Sequence, residues 1–242
     1  MSLDDKVQSI LKSEVIWDAH SGFMPDPAAD LNNLRIWREA GVDYLSIDVG
    51  FDLLPWEKTV ATLAYFRHWI LARPADYTLV SSTDEILAAK AQGKLAVTFD
   101  IEGMNALNGR IEMVEFYHRL GVRQMLFAYN RNNLAGGGCH DEDTGLTAFG
   151  RQVIDEMNRL GMFVDVTHTG YRTTMDVMEY TDRPRSSRTP IRRRSAPMGA
   201  TSPTIRSRPA PEPAASSASS ASTASSARAA RIPNGWPTTS NI

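Results

Sequence analysis

The sequence predicts an α/β fold of the (β/α)8 TIM-barrel type, incomplete here at about five to six βα units and followed by a disordered tail. Three observations carry this expectation. Short runs rich in Val, Ile, Leu and Phe alternate with longer helical patterns, as they do around a parallel sheet. The helical patterns repeatedly end in Gly just before the next β-rich run, where a left-handed cap stops a helix. The composition then breaks sharply: residues 1–182 hold 16 Lys and Arg against 27 Asp and Glu, whereas residues 183–242 hold 10 Arg, no Lys and one acid, Glu212. The near-neutral total of −2 therefore describes neither part.

Taken in order, VIWDAH (15–20) reads as the first strand, and ADLNNLRIWREAG (29–41) reads as a helix with Leu31, Leu34 and Trp37 three apart. VDYLSIDVG (42–50) is the second strand, followed by a helix over residues 55–71. LAVTFDIEG from Leu95, VRQMLFAYN from Val122 and MFVDVTHTG from Met162 supply three more strands. The segments AAKAQG, VEFYHRLG and IDEMNRLG are the helix ends that precede them. YTLV at Tyr77 is a weaker sixth strand, and the next would begin near Pro184, where the pattern stops.

Residues 1–183 are thus read as a partial barrel and 184–242 as a low-complexity Ala/Ser/Pro/Arg tail. The tail has no Leu, Val, Phe or Tyr, so it cannot bury enough apolar surface to offset its ordering entropy. The genetic code suggests its origin. AASSASSASTASSA (214–227), read one base earlier in a GC-rich gene, permits GGVVGVVGVDGVVG, a buried-strand sequence, and SSRTPIR (186–192) permits VFSHSNP. The tail is accordingly expected to be out of frame.

The basic tail lacks Lys and aromatic platforms, which argues against a nucleic-acid partner. The single cysteine, Cys139, excludes an intrachain disulfide and suits a reducing compartment. The N-terminal MSLDDKVQSILKSEV lacks a basic segment followed by an apolar one, and no apolar run approaches the roughly 18 residues of a membrane span. A soluble, cytoplasmic protein without a membrane partner is expected.

Chemistry in such a barrel gathers at the C-terminal ends of the strands. His20, Glu102 and His168 each fall at one such end, and two imidazoles with a carboxylate form a plausible zinc set. Asp18 shares a strand face with His20, as Asp100 does with Glu102. Asp18 is therefore a candidate to orient the His20 ring or to join the metal shell, with a simple buried strand-end carboxylate as the alternative. Arg131 in YNRNN has a guanidinium suited to a substrate carboxylate, with a surface salt bridge as its alternative. His68 and His118 lie inside helical patterns and read as surface or boundary residues. His140 lies in LAGGGCHDEDTG, a loop whose Asp141, Glu142 and Asp143 would suit a cation, but whose spacing does not match an EF-hand.

These segments resemble the membrane (renal-type) dipeptidase family of zinc peptidases. IWDAHSGF sits where that family opens with a D-G-H-x-D strand, and FDIEGMNAL resembles its glutamate strand. TGLTAFGRQVIDEMNRLGMFVDVTHTG resembles its G-L-T-x-F-G…MN-x-x-G…D-x-S-H segment closely, and the frame-shifted VFSHSNP resembles its next metal-binding strand.

The resemblance implies a metal hydrolase barrel in which zinc is the cofactor and small peptides are the substrate. His20 would hold one zinc, Glu102 would bridge two and act as the catalytic carboxylate, and His168 would hold the other. The family's Asp two residues after the first His is Gly22 here, and its substrate-contacting His is Tyr129. With further ligands replaced by the tail, the chain is expected to be weakly active or inactive, and its open sheet edges favour association as a homodimer. A non-catalytic barrel fragment is the competing reading. A phosphotriesterase- or deaminase-type barrel fits less well, because those sites open with H-x-H, which DAHSGF lacks.

Overall fold

The structure is a computed structural model that describes residues 3–21 and 23–181 and the backbone of 185–186. Gly22 and the bulk of the tail, with the expectations placed on them, lie outside the described residues.

The chain forms α1 (Leu3–Ser13), β1 (Trp17–Ser21), a 3-10 turn (Leu31–Leu34) running into α2 (Arg35–Glu39), and β2 (Tyr44–Phe51). It continues with α3 (Trp56–Leu71), β3 (Tyr77–Leu79), α4 (Thr83–Ala91) and β4 (Leu95–Glu102). A second 3-10 turn (Met104–Leu107) leads to α5 (Glu112–Arg119), β5 (Val122–Leu126), α6 (Ala148–Leu160), β6 (Phe163–Asp165), α7 (Tyr171–Tyr180) and β7 (Arg185–Ser186). All pairings are parallel, in the order β1-β2-β4-β5-β6-β7, with β3 also on β4. This is part of a (β/α) barrel, as the sequence predicts. Among the described residues no helix is long and apolar enough to cross a membrane.

β4 is the hub of the sheet. Leu95 N donates to Asp76 O, Val80 N to Val97 O, and Phe99 N to Gly121 O. Residues 95, 97 and 99 direct their backbone groups to one edge, so β3 and β5 share that edge end to end while β2 takes the other. The last residues of β4, Asp100 to Glu102, therefore lie between β2 and β5.

The pleat then sorts the side chains. Leu45, Ile47 and Val49 of β2 and Leu95, Val97, Phe99 and Ile101 of β4 join the main core beneath the helices. They meet Leu63, Phe66 and Ile70 of α3, Val114 and Tyr117 of α5, and Val153, Ile154 and Met157 of α6. Each such fully buried side chain contributes about 1.5–3 kcal/mol of transfer free energy. The opposite face is polar toward the strand C-termini and apolar at the start, where Tyr44, Ala96 and Phe163 pack with Ile86 and Ala89 of α4.

Two local differences from the sequence reading have physical causes. Asp30 caps Asn32 N, so the helix expected over 29–41 begins as a 3-10 turn and is short. β6 stops at Asp165, whose Oδ1 accepts Thr167 N (2.8 Å) and Thr167 Oγ1 (2.6 Å), which replaces the strand ladder with a turn. β7 pairs in parallel with β6, Val164 opposite Arg185 and Asp165 opposite Ser186, near Pro184 where the sequence reading places the start of the next strand.

Candidate metal centre

The polar face of the sheet is built from cross-strand pairs. Tyr44 Oη meets Thr98 Oγ1 at 2.6 Å, Ser46 Oγ donates to Asp100 Oδ2 at 2.6 Å, and Gln124 Nε2 donates to Asp165 Oδ2 at 2.8 Å. Toward the strand ends this face reaches His20, Asp100 and Glu102.

His20 Nδ1 lies 2.9 Å from Asp100 Oδ1, and its Nε2 lies 3.5 Å from Glu102 Oε1. The Asp100 side chain is 1% exposed, Glu102 11% and His20 24%, so the pair opens toward solvent on the imidazole side. A carboxylate only accepts, so a ring proton on Nδ1 would be held by Asp100 and would turn the Nε2 lone pair toward the Glu102 side. Two donors bound to one zinc at about 2.0–2.2 Å in tetrahedral geometry lie roughly 3.3–3.5 Å apart. His20 and Glu102 fit that edge of a coordination shell.

The reading of Asp18 as the group that orients the His20 ring is corrected: that role falls to Asp100. Asp18 Oδ2 accepts the indole N–H of Trp37 at 2.9 Å, and its Oδ1 accepts the His20 backbone N–H at 3.3 Å. Its side chain thus ties β1 to α2. The sequence already placed Asp100 on the face of Glu102, and the D-x-E spacing is the signal for its role.

His168 sits in the turn after β6 with φ 61°, and Asn130 in the loop after β5 has φ 64°. The two left-handed residues meet, His168 Nδ1 to Asn130 Oδ1 at 2.9 Å. The amide oxygen accepts a ring proton held at Nδ1. The His168 ring also lies 4.7 Å from the Tyr129 ring, which in turn packs 5.4 Å from Phe51. Positive φ costs a non-glycine residue of order 1 kcal/mol or more, although His and Asn tolerate it better than most.

The three sequence-predicted ligands thus divide. His20 and Glu102 meet, and His168 is held by Asn130 and Tyr129 on the neighbouring loops. Among the described residues no three His, Cys, Asp or Glu side chains form a group that could hold a metal ion.

The remaining candidates take structural roles. Arg131, with its side chain 64% exposed, pairs with Asp141 at 2.6 Å, the surface salt bridge of its two readings. Asp143 does not face Asp141 across a cation site: it caps α7, accepting Thr173 Oγ1 at 2.7 Å and the backbone N–H groups of Arg172 and Thr173. Asp141 accepts Asn132 N at 2.8 Å. His140 N donates to Asn130 O at 2.8 Å, bracing the loop that carries Asn130. His68 lies exposed on α3 and His118 partly buried on α5, as surface and boundary residues.

A parallel barrel segment with its polar side chains gathered at the strand C-termini belongs to the class of barrels that keep their chemistry at that mouth. Residues 41–194, more than half of the chain, match the family described as membrane dipeptidase (Peptidase family M19), and the protein belongs to it.

Among curated relatives, an uncharacterised dipeptidase of Schizosaccharomyces pombe is 34% identical over 118 residues, covering 45% of this chain and 28% of the relative. Dipeptidase tcpJ of Claviceps purpurea is 31% identical over 104 residues, covering 42% of this chain and 24% of the relative. The chain spans roughly a quarter of the length of these two relatives. Among solved structures, an amidohydrolase from Pseudomonas aeruginosa aligns with a TM-score of 0.67 at 26% identity, over 74% of this chain and 53% of that one. The probable dipeptidase PvdM from the same organism aligns at 0.64 with 14% identity, over 75% and 53%, which supports the fold.

Proposed function

We propose that the chain is a metal-dependent, dipeptidase-like hydrolase that uses zinc, with His20 and Glu102 as ligands toward one ion and His168 toward a second. The observation that carries this reading is the contact that each of the two histidines makes through Nδ1 with a side-chain oxygen. Nδ1 faces Asp100 Oδ1 in His20 and Asn130 Oδ1 in His168, and a proton held there would leave Nε2 of both rings to coordinate a metal. Bound zinc supplies a hydroxide at neutral pH and polarises a scissile carbonyl.

The protein's own part is positional. Asp100 fixes the His20 ring, Glu102 is the catalytic carboxylate that would hold the metal beside His20, and Tyr129 offers a flat aromatic wall beside His168 to a small peptide. Membership in the family supports the peptide as substrate class. The same reading assigns the protein to the cytoplasm, without a nucleic-acid or membrane partner, and pairs it with a second copy.

Activity is proposed to be impaired, since Gly22 and Tyr129 replace an acid and an imidazole of the family pattern. A non-catalytic, binding-only role is the second reading, favoured by the absence of a three-donor group among the described residues. The test is zinc content and affinity of the purified chain with and without Glu102→Gln. Stoichiometric zinc that weakens at least tenfold in the variant supports the ligand assignment; a chain that takes up no zinc sinks it. Clear dipeptide turnover with zinc present would contradict the proposed impairment.

A further inference from the structure

Beside the mouth lies a carboxylate that the ligand set does not use. Asp52 follows β2 directly, and three N–H donors from two other loops converge on it. Oδ1 accepts Asn105 N at 2.9 Å, and Oδ2 accepts Tyr129 N at 3.0 Å and Asn133 Nδ2 at 2.9 Å. Its main chain joins the same knot: Asp52 N donates to Glu102 O at 2.9 Å, and Asp52 O accepts Asn105 Nδ2 at 3.2 Å. Asn133 extends the link, donating also to Phe127 O and accepting Ala135 N and Gly136 N with its own oxygen. Burial pushes the Asp52 carboxyl up, and the three donors oppose that shift.

Gly103 is the residue that admits this carboxylate. It has φ +125°, and a Cβ built there would sit 2.0 Å from Asp52 Cγ. A side chain at position 103 is therefore excluded both by conformation and by space. The glycine directly after Glu102 exists to let a charge from the neighbouring strand end stand against the loop.

We propose that Asp52 is a positioning residue that holds the strand end of Glu102 and the Tyr129–His168 wall in one fixed arrangement across the mouth. The assignment of a catalytic purpose rests on the ligand reading above, whereas the mechanical coupling does not need a metal. A carboxylate suits the place because it accepts only and has an oxygen for each side: Oδ1 serves the loop after β4, and Oδ2 serves the loop after β5. Asparagine keeps one acceptor. It would turn its oxygen to the two donors from Tyr129 and Asn133 and press its NH2 against Asn105 N.

The test compares Asp52→Ala and Asp52→Asn in the full chain, read by NMR of the histidine rings and by amide hydrogen exchange without metal, then by cobalt(II) titration. Asp52→Ala is expected to move the His168 ring signals, which sit beside the Tyr129 ring, and to speed exchange at the Asn105 and Tyr129 amides. The His118 signals on the distant α5 should stay in place. Asp52→Asn should speed exchange at Asn105 alone.

Cobalt affinity should fall in Asp52→Ala by about tenfold or more, in line with the loss of groups that orient ligands. A folded Asp52→Ala with unmoved His168 signals, or with cobalt bound as tightly as by the unaltered chain, overturns the assignment. If Asp52→Ala does not fold, Asp52→Asn decides: an unchanged Asn105 amide overturns it. If the unaltered chain binds no cobalt, the ligand reading falls, and the ring and amide signals alone decide whether Asp52 couples the two loops.

Discussion

The two sides of the mouth hold their imidazoles by different means. On one side, His20, Asp100 and Glu102 sit on β1 and β4, and Asp100 is braced further by Ser46 of β2. The pleat places these residues on one face, and the register between strands sets their separations. On the other side, His168 and Asn130 stand in loops, both with left-handed backbones, and each stabilises the other's side chain. The sheet-borne pair is arranged by hydrogen bonds that exist for the fold's own sake. The loop-borne pair is arranged by local turns that cost energy, so it should be the softer half of the site.

The largest expected effect lies where the two sides join. Gly103→Ala forces a Cβ against the Asp52 carboxylate at a φ that L side chains rarely adopt. It should destabilise the fold by about 3 kcal/mol or more, seen as a lowered urea midpoint. A loss under about 1 kcal/mol would mean that the junction is pliable and that the two sides move independently.

A matched pair of variants then tests the contrast itself. Asp100→Ala leaves His20 Nδ1 and Ser46 Oγ without their shared acceptor in a buried place and should cost about 2–3 kcal/mol. Asn130→Gly removes the His168 partner while making the left-handed backbone free of strain, so its net cost should stay within about 1 kcal/mol. Both should weaken metal binding, by roughly 10–100-fold. Equal costs from the two, measured by chemical unfolding, would break the distinction between a rigid and a soft half.

The same contrast explains what the sequence made legible. Strands and their faces follow from alternation and from Gly stops, so β2, β4 and the positions of His20 and Glu102 were readable. The contacts that organise the loops join residues far apart in the chain: Asp52 to Tyr129, Asn130 to His168, Asp143 to Thr173. Nothing in the local spacing marks such pairs. Sharing a strand face with His20 made Asp18 one candidate to orient its ring, whereas Asp100 meets that ring across the sheet, 80 residues away. The sequence reading did not include α1 or α7 either. α1 buries none of its residues, and α7 begins at a cap supplied by the remote Asp143.

A pH effect asks whether the soft half yields first. His118 lies half-buried on α5, just ahead of β5, and its carbonyl accepts Arg123 Nη1 at 2.6 Å. Burial, with the nearby Arg123 charge adding to it, holds its pKa down to about 4 from an ordinary 6.5. A histidine whose folded pKa is depressed contributes stability in its neutral form. That stability is present above about pH 6.5 and is lost as pH falls toward 4, because the unfolded chain takes up the proton first. The full shift would be worth about 3 kcal/mol, which partial exposure reduces to about 1–2 kcal/mol. Urea unfolding at pH 7 and pH 4.5 should show the unaltered chain losing that much more stability than His118→Gln, which cannot take up the charge. Carboxylates that titrate in the same range act on both proteins and cancel in the difference. Hydrogen exchange at pH 4.5 should then show β5 amides opening before those of β2 and β4; simultaneous opening would mean that the mouth yields as one unit.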